Sequence, residues 1–156
     1  MWLLAFAVIR WRPTWSRPER PVRHAVRVTE SAPFRDAIAA AASGAQELQT
    51  AAVMLDDPGA AMIAFSAAEL VARVTEGASP DIVRGTVAAV HEAVGDQLPA
   101  DRFQQVETAA ANASLPDLLA ALAGLLASVG ELFPGEVGDA AHATAHALAD
   151  ASAAVG

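Results

Sequence analysis

The chain has 156 residues, is rich in alanine, and carries a net charge of −8 with no cysteine. That length is enough for one domain to bury a core without disulfides or metal. The missing thiols exclude disulfide scaffolds, cysteine nucleophiles and cysteine-zinc sites. Alanine is the best helix former, and β-branched and aromatic residues are sparse after the first thirty positions, so the composition predicts an all-α protein.

Charge is distributed unevenly along the sequence. Residues 1–35 hold seven arginines and two acidic residues, whereas residues 36–156 hold three arginines and sixteen acidic residues. Because the larger part is strongly acidic, nucleic acid is not expected as its ligand. The basic segment is able to lie on the acidic part of the same chain.

Residues 1–31 are predicted to form a weakly structured basic arm. Three prolines between positions 13 and 21 exclude a continuous helix or strand. The apolar run before Arg10 is shorter than the roughly 20 residues that span a bilayer. The arm either packs on the bundle, stays unstructured without a function, or anchors the protein at a membrane surface; binding of single-stranded nucleic acid is a remaining alternative. The candidates for membrane contact are Trp2, Leu3, Leu4, Phe6, Trp11 and Trp15.

Residues 32–156 are predicted to form a bundle of five or six mostly antiparallel helices. Capping residues followed closely by proline indicate four helix starts, at Ser31 (or Thr29), Asp57, Ser79 and Ser114. Proline and glycine indicate the breaks. The predicted helices begin and end near residues 33–55, 58–76, 80–98, 100–113, 115–133 and 136–154.

The core is predicted from apolar periodicity. Heptad-like seams run through the first helix (Phe34, Ile38, Ala41, Ala45, Leu48, Ala52, Leu55) and the last (Val137, Ala141, Thr144, Leu148, Ala151, Val155). The second helix is expected to bury Met62, Ile63, Phe65, Leu70, Val71 and Val74. The third and fourth are expected to bury Val83, Val87, Val90, Val94 and Leu98, and Phe103, Val106 and Ala110.

The segment Leu115–Phe133 is predicted to be the central helix. It has no charge between Asp117 and Glu131, with a bulky leucine face opposite a face of alanine, glycine and serine. A helix without a polar face is expected to be buried all round. Its small residues resemble the spacing of membrane helix-packing motifs, but close packing within a soluble bundle explains them as well.

A possible metal site lies in the last helix. Asp139, His142, His146 and Asp150 are spaced by three, four and four residues, so they share one face, and histidine with carboxylate can bind zinc. The same stripe lies opposite the apolar seam, and we therefore expect it to face water. His91 and Glu92 are expected to be boundary residues of the third helix.

Catalytic motifs are not recognised in the sequence. There is no Gly-x-Ser-x-Gly elbow and no phosphate-binding glycine loop, so an enzyme is not expected, and no cofactor is predicted. The preferred hypothesis is a cytoplasmic, non-enzymatic module that self-associates or binds a protein partner. The alternatives are a peripheral membrane protein and a small-molecule-binding regulatory domain, with a pocket formed by Phe65, Phe103 and Phe133.

Overall fold

The computed structural model of the protein describes residues 31–155. These residues form six α-helices and a short 3-10 turn (Gly95–Gln97) and contain no β-strand, which confirms the predicted all-α bundle. The helices are α1 (Ala32–Val53), α2 (Pro58–Thr75), α3 (Pro80–Val94), α4 (Ala100–Ala111), α5 (Leu115–Leu132) and α6 (Gly135–Val155). The predictions for the basic arm and its membrane-contact candidates lie outside the described residues.

Hydrogen bonds at the helix starts explain where four of the helices begin. The side-chain oxygens of Ser31, Asp57, Ser79 and Ser114 each accept a bond from a backbone N–H two or three residues later, at 3.0–3.4 Å. Proline follows within two residues of every one of these caps, where its fixed φ favours the first helical turn. The predicted helix starts are confirmed at all four positions.

The six helices are arranged in two layers of three. α1, α2 and α3 pack side by side in one layer, and α4, α5 and α6 pack side by side in the other. Between the layers, α1 packs on α6, α2 on α5 and α3 on α4. α6 has the most extensive contacts, because it packs both on its neighbour α5 and on α1 in the opposite layer.

The predicted seams form most of the core. Phe34, Leu48, Leu148 and the valines of α3 are buried, and only the last residue of each long seam, Leu55 and Val155, is partly exposed. Alanine allows α1 and α6 to approach closely. At their crossing, a Cβ on Gly44 would lie 3.2 Å from the Cα of Thr144. The hydroxyl of Thr144 is fully buried and donates to the carbonyl of Ala140 at 2.7 Å.

The prediction for the core of α2 is wrong at two positions. Met62 is 51% exposed and Phe65 is 36% exposed, whereas the smaller Ala64, Ala67 and Ala68 are buried. As the middle helix of its layer, α2 packs on α1, α3 and α5. Small side chains allow those three close contacts, so the two bulky residues lie on the remaining outer face.

The expectation that α5 is buried all round is also wrong. Its leucine face is fully buried and Ala121 is buried as well. Ala120 is exposed, however, and the remaining small residues are partly exposed because they lie on the outer face of their layer (Ala123, Gly124, Ala127, Ser128). Leu132 at its end is exposed as well. Among the described residues, α5 is the one helix long and apolar enough to cross a membrane, and half of those residues are buried inside the bundle.

Candidate functional site

The histidine and aspartate stripe of α6 lies on the surface. Asp139, His142, His146 and Asp150 are all exposed, as expected for a face opposite the apolar seam. The ring of His142 lies over Gly130 of α5, where a Cβ would be 2.7 Å from Nε2. Within residues 31–155, no three histidine, aspartate or glutamate side chains are placed to hold a metal ion together.

The three phenylalanines proposed to form a pocket have different environments. Phe103 is buried in the core, Phe65 is at the surface of α2, and Phe133 is half-buried after α5. None of them lines any of the three grooves described below. The structure therefore gives no support to a common pocket for these residues.

His91 makes a contact between α3 and α4 that the sequence analysis did not predict. Its Nδ1 lies 3.4 Å from a carboxylate oxygen of Glu107, and its ring centroid lies 5.4 Å from that of Phe103 at a tilt of 41°. Glu107 was missed because it is sixteen residues away in the sequence. The pair covers the buried Phe103 where the two helices meet, which is a role in packing.

In the described bundle, three of the grooves between neighbouring helices are wide enough to receive another chain segment. The groove between α4 and α5 measures about 560 Å³ and is lined mainly by polar side chains, among them Asp101, Gln104 and Asp117. The groove between α2 and α3 measures about 400 Å³, and that between α1 and α6 about 690 Å³. Each is a shallow channel between helices, so a second helix or an extended segment fits it better than an enclosed small molecule.

The groove between α2 and α3 is part of a surface with few charges. On α3, Ile82, Gly85, Thr86, Ala89 and Ala93 follow one another on the outer side, and on α2 the outer side carries Met62, Phe65, Ser66 and Glu69. We call these nine residues the α2–α3 face. A Cβ on Gly85 would meet no atom within 4 Å, so the middle of the face is open.

Ion pairs within the same helices offset part of the charge around the α2–α3 face. Arg73 lies 3.4 Å from Glu69 and 3.8 Å from Glu76, and Arg84 pairs with Asp81. α2 and α3 together hold two arginines and three acidic residues, whereas α1 and α6 hold one arginine and five. The α2–α3 face is thus less acidic than the α1–α6 side.

Large hydrophobic side chains are exposed mainly on the first layer. Of the six that are exposed in the described residues, five belong to α1–α3 or to the residue that caps α1, and Leu132 is the exception. The five are Val53, Met54, Met62, Phe65 and Ile82. Comparison of the chain with protein-family models, with curated proteins and with solved structures gives no significant match, so a function has to be inferred from these surfaces.

Proposed function

We propose that this chain is a non-enzymatic helical module that associates with a second copy of itself through the α2–α3 face. The observation that carries the proposal is the exposure of Met62, Phe65 and Ile82 around a groove of small residues. Exposed apolar surface of this kind is typical of an interaction site. Small residues allow the backbone of a partner helix to come close, so that the larger side chains at the edges of the groove are buried.

A second copy is favoured over other protein partners by symmetry and charge. In a two-fold dimer both copies contribute the same face, so Ile82 and Met62 find apolar surface on each side. Two chains of net charge −8 repel each other, and the repulsion is smallest where acidic residues are few or paired with arginine. The α2–α3 face meets that condition because Arg73 and Arg84 are paired with carboxylates at its edges.

Introducing a charge into the α2–α3 face is expected to separate the dimer. In Ala89→Glu, each chain places a carboxylate on the exposed middle of α3, where the two copies would bring like charges together. We expect the unmodified chain to sediment as a dimer, with a melting temperature that rises with protein concentration, and Ala89→Glu to sediment as a monomer.

The matched control is Ala120→Glu, which adds the same charge to an exposed alanine of α5 in the opposite layer. This variant is expected to remain a dimer. The proposal is contradicted if the unmodified chain is monomeric at every concentration, or if the two variants weaken association equally.

Peripheral membrane association is the second candidate function, and the sequence of the basic arm favours it. Trp2, Leu3, Leu4 and Phe6 precede a series of arginines, a combination that binds apolar and anionic parts of a membrane surface. With this function the protein is cytoplasmic and binds a membrane only through residues 1–15.

Co-sedimentation with anionic vesicles tests this second function. The full chain is expected to sediment with anionic vesicles and not with neutral ones, and Leu3→Glu/Phe6→Glu to remain in solution. Equal sedimentation of the two chains would remove the arm from consideration as an anchor.

A further inference from the structure

The groove between the outer sides of α1 and α6 has a small-residue floor and acidic walls. Ser43 and Ala143 lie at one end of the groove, beside the crossing of α1 and α6, and Met54 and Glu136 lie at the opposite end. Because Gly44 also lies beside Thr144, the two helices run antiparallel. The beginning of α1, at Ser31, is therefore at the other end of this pair of helices, near the last turns of α6.

No basic side chain lines this groove, although three carboxylates do. Glu47 lies on the α1 side, and Glu136 and Asp139 lie on the α6 side. By helical periodicity, Asp36 and Asp150 continue the same two outer sides toward the start of α1, and both are exposed. Within the described residues none of these five carboxylates belongs to an ion pair. Like charges held together in this way attract a cationic partner.

The chain itself contains a segment with matching charge and suitable length. Residues 1–30 hold six arginines and two acidic residues, and they join the described structure at Ser31, five residues before Asp36. Thirty residues can extend over roughly 100 Å, whereas α1 is only about 33 Å long, so the segment can reach every part of the groove. A covalent tether also gives it a high effective concentration there.

Residues 1–30 and the groove also match in their apolar side chains, in addition to their opposite charges. Met54 is 76% exposed at the far end of the groove, and alanine forms much of the floor. Residues 1–30 contain all three tryptophans of the chain, interleaved with arginine around position 11. An arginine can pair with a carboxylate at the wall while a neighbouring tryptophan contacts the alanine floor or Met54.

We propose that residues 1–30 dock on the α1–α6 groove of the same chain, with their arginines paired to its carboxylates. A second copy is a poor occupant of this groove, because residues 31–155 carry four arginines against sixteen acidic residues. The proposal is independent of dimerisation through the α2–α3 face, since the two surfaces share no residue.

Tryptophan fluorescence reports on this segment alone. The tryptophans are at positions 2, 11 and 15, and the chain has no tyrosine. In the full chain at low salt, we expect the tryptophans to be protected from acrylamide quenching. Near 1 M salt the screening length falls to about 3 Å, so we expect this protection to be lost. The variant Glu47→Gln/Glu136→Gln/Asp139→Asn should lose the protection at low salt as well. Each neutralised carboxylate is expected to weaken docking by up to about fivefold.

The matched control is Glu69→Gln/Glu76→Gln/Glu92→Gln, which removes the same number of exposed carboxylates from α2, its C-terminal cap and α3. It is expected to behave like the unmodified chain. Equal loss of protection in the two triple variants would overturn docking at this groove, because it would mean that only the overall charge matters.

A second measurement locates the segment without changing the carboxylates. Since the chain has no cysteine, Ser43→Cys and Ala120→Cys each provide one site for a nitroxide label, the first in the groove and the second on the outer side of α5, outside the groove. We expect the label at position 43 to quench the tryptophans strongly and at every protein concentration. Three results would each overturn the proposal. The first is equal quenching from both labelled sites. The second is quenching that grows with protein concentration, and the third is protection of the tryptophans only in the presence of anionic vesicles. The last two results would identify a second copy and a membrane, respectively, as the occupant.

Discussion

Leu122→Ala is expected to lower the free energy of unfolding by about 3–5 kcal/mol, the largest effect of any single substitution considered for this protein. Leu122 is in the middle of α5 and is fully buried on its leucine face. The substitution removes apolar contacts and leaves a cavity that helices on three sides cannot fill. In a thermal melt the loss corresponds to roughly 10 °C or more. Urea denaturation followed by far-UV circular dichroism measures it, with an unchanged m-value.

Leu132→Ala is the matched control for this prediction. The same side chain is removed from the same helix, but Leu132 is half exposed, so less apolar surface is lost and solvent can occupy the space. A loss below about 1 kcal/mol is expected. If Leu122→Ala cost no more than Leu132→Ala, the leucine face of α5 would not be the core of the bundle.

Gly44→Ala is expected to destabilise the protein by about 1–3 kcal/mol, even though alanine is the better helix former. The new methyl group would lie 3.2 Å from the Cα of Thr144 and would also clash with its hydroxyl, which is held by the carbonyl of Ala140. α1 and α6 must then move apart along one of the most extensive contacts in the bundle. Urea denaturation at one fixed protein concentration gives the change in free energy.

Gly85→Ala is the control, and its effect is expected to have the opposite sign. Gly85 is also inside a helix, but a Cβ there would meet no atom within 4 Å. Because Gly85 also lies in the α2–α3 face, the comparison is made in the monomeric Ala89→Glu background, where the substitution should raise stability by about 0.5–1 kcal/mol through helix propensity. In addition, the double variant Gly44→Ala/Thr144→Ala should lose less than the two single losses combined, because the clashing hydroxyl is gone. Stabilisation by both glycine substitutions would contradict the close approach of α1 and α6.

The starts of the helices could be read from the sequence because they depend on neighbouring residues only. Ser31, Asp57, Ser79 and Ser114 each accept a bond from a residue at most three positions away. Each is followed by a proline that no helix interior tolerates. The end of α2 is equally local, since Gly77 has the positive φ of +79° that glycine allows.

Only some of the exposed surfaces of the bundle could be predicted from the sequence. The exposed stripe from Asp139 to Asp150 was predicted because it lies opposite a clear apolar seam. The α2–α3 face was missed because periodicity gives Met62 and Phe65 the same weight as Leu70 and Val74. Alanine is compatible with both the core and the surface of a helix. Which residues of such a helix are buried therefore depends on how closely the neighbouring helices pack against it.

The sequence by itself therefore determined the helical class, most of the helix ends, the seams of α1, α3 and α6, and the uneven distribution of charge. Those features follow from propensity, capping and periodicity, which act over a few residues. Only the tertiary structure decided that α2 exposes its largest side chains, that the small side of α5 faces outward, and that His91 meets Glu107. Each of these depends on which helices become neighbours, and that is set by the close packing of residues far apart in the chain.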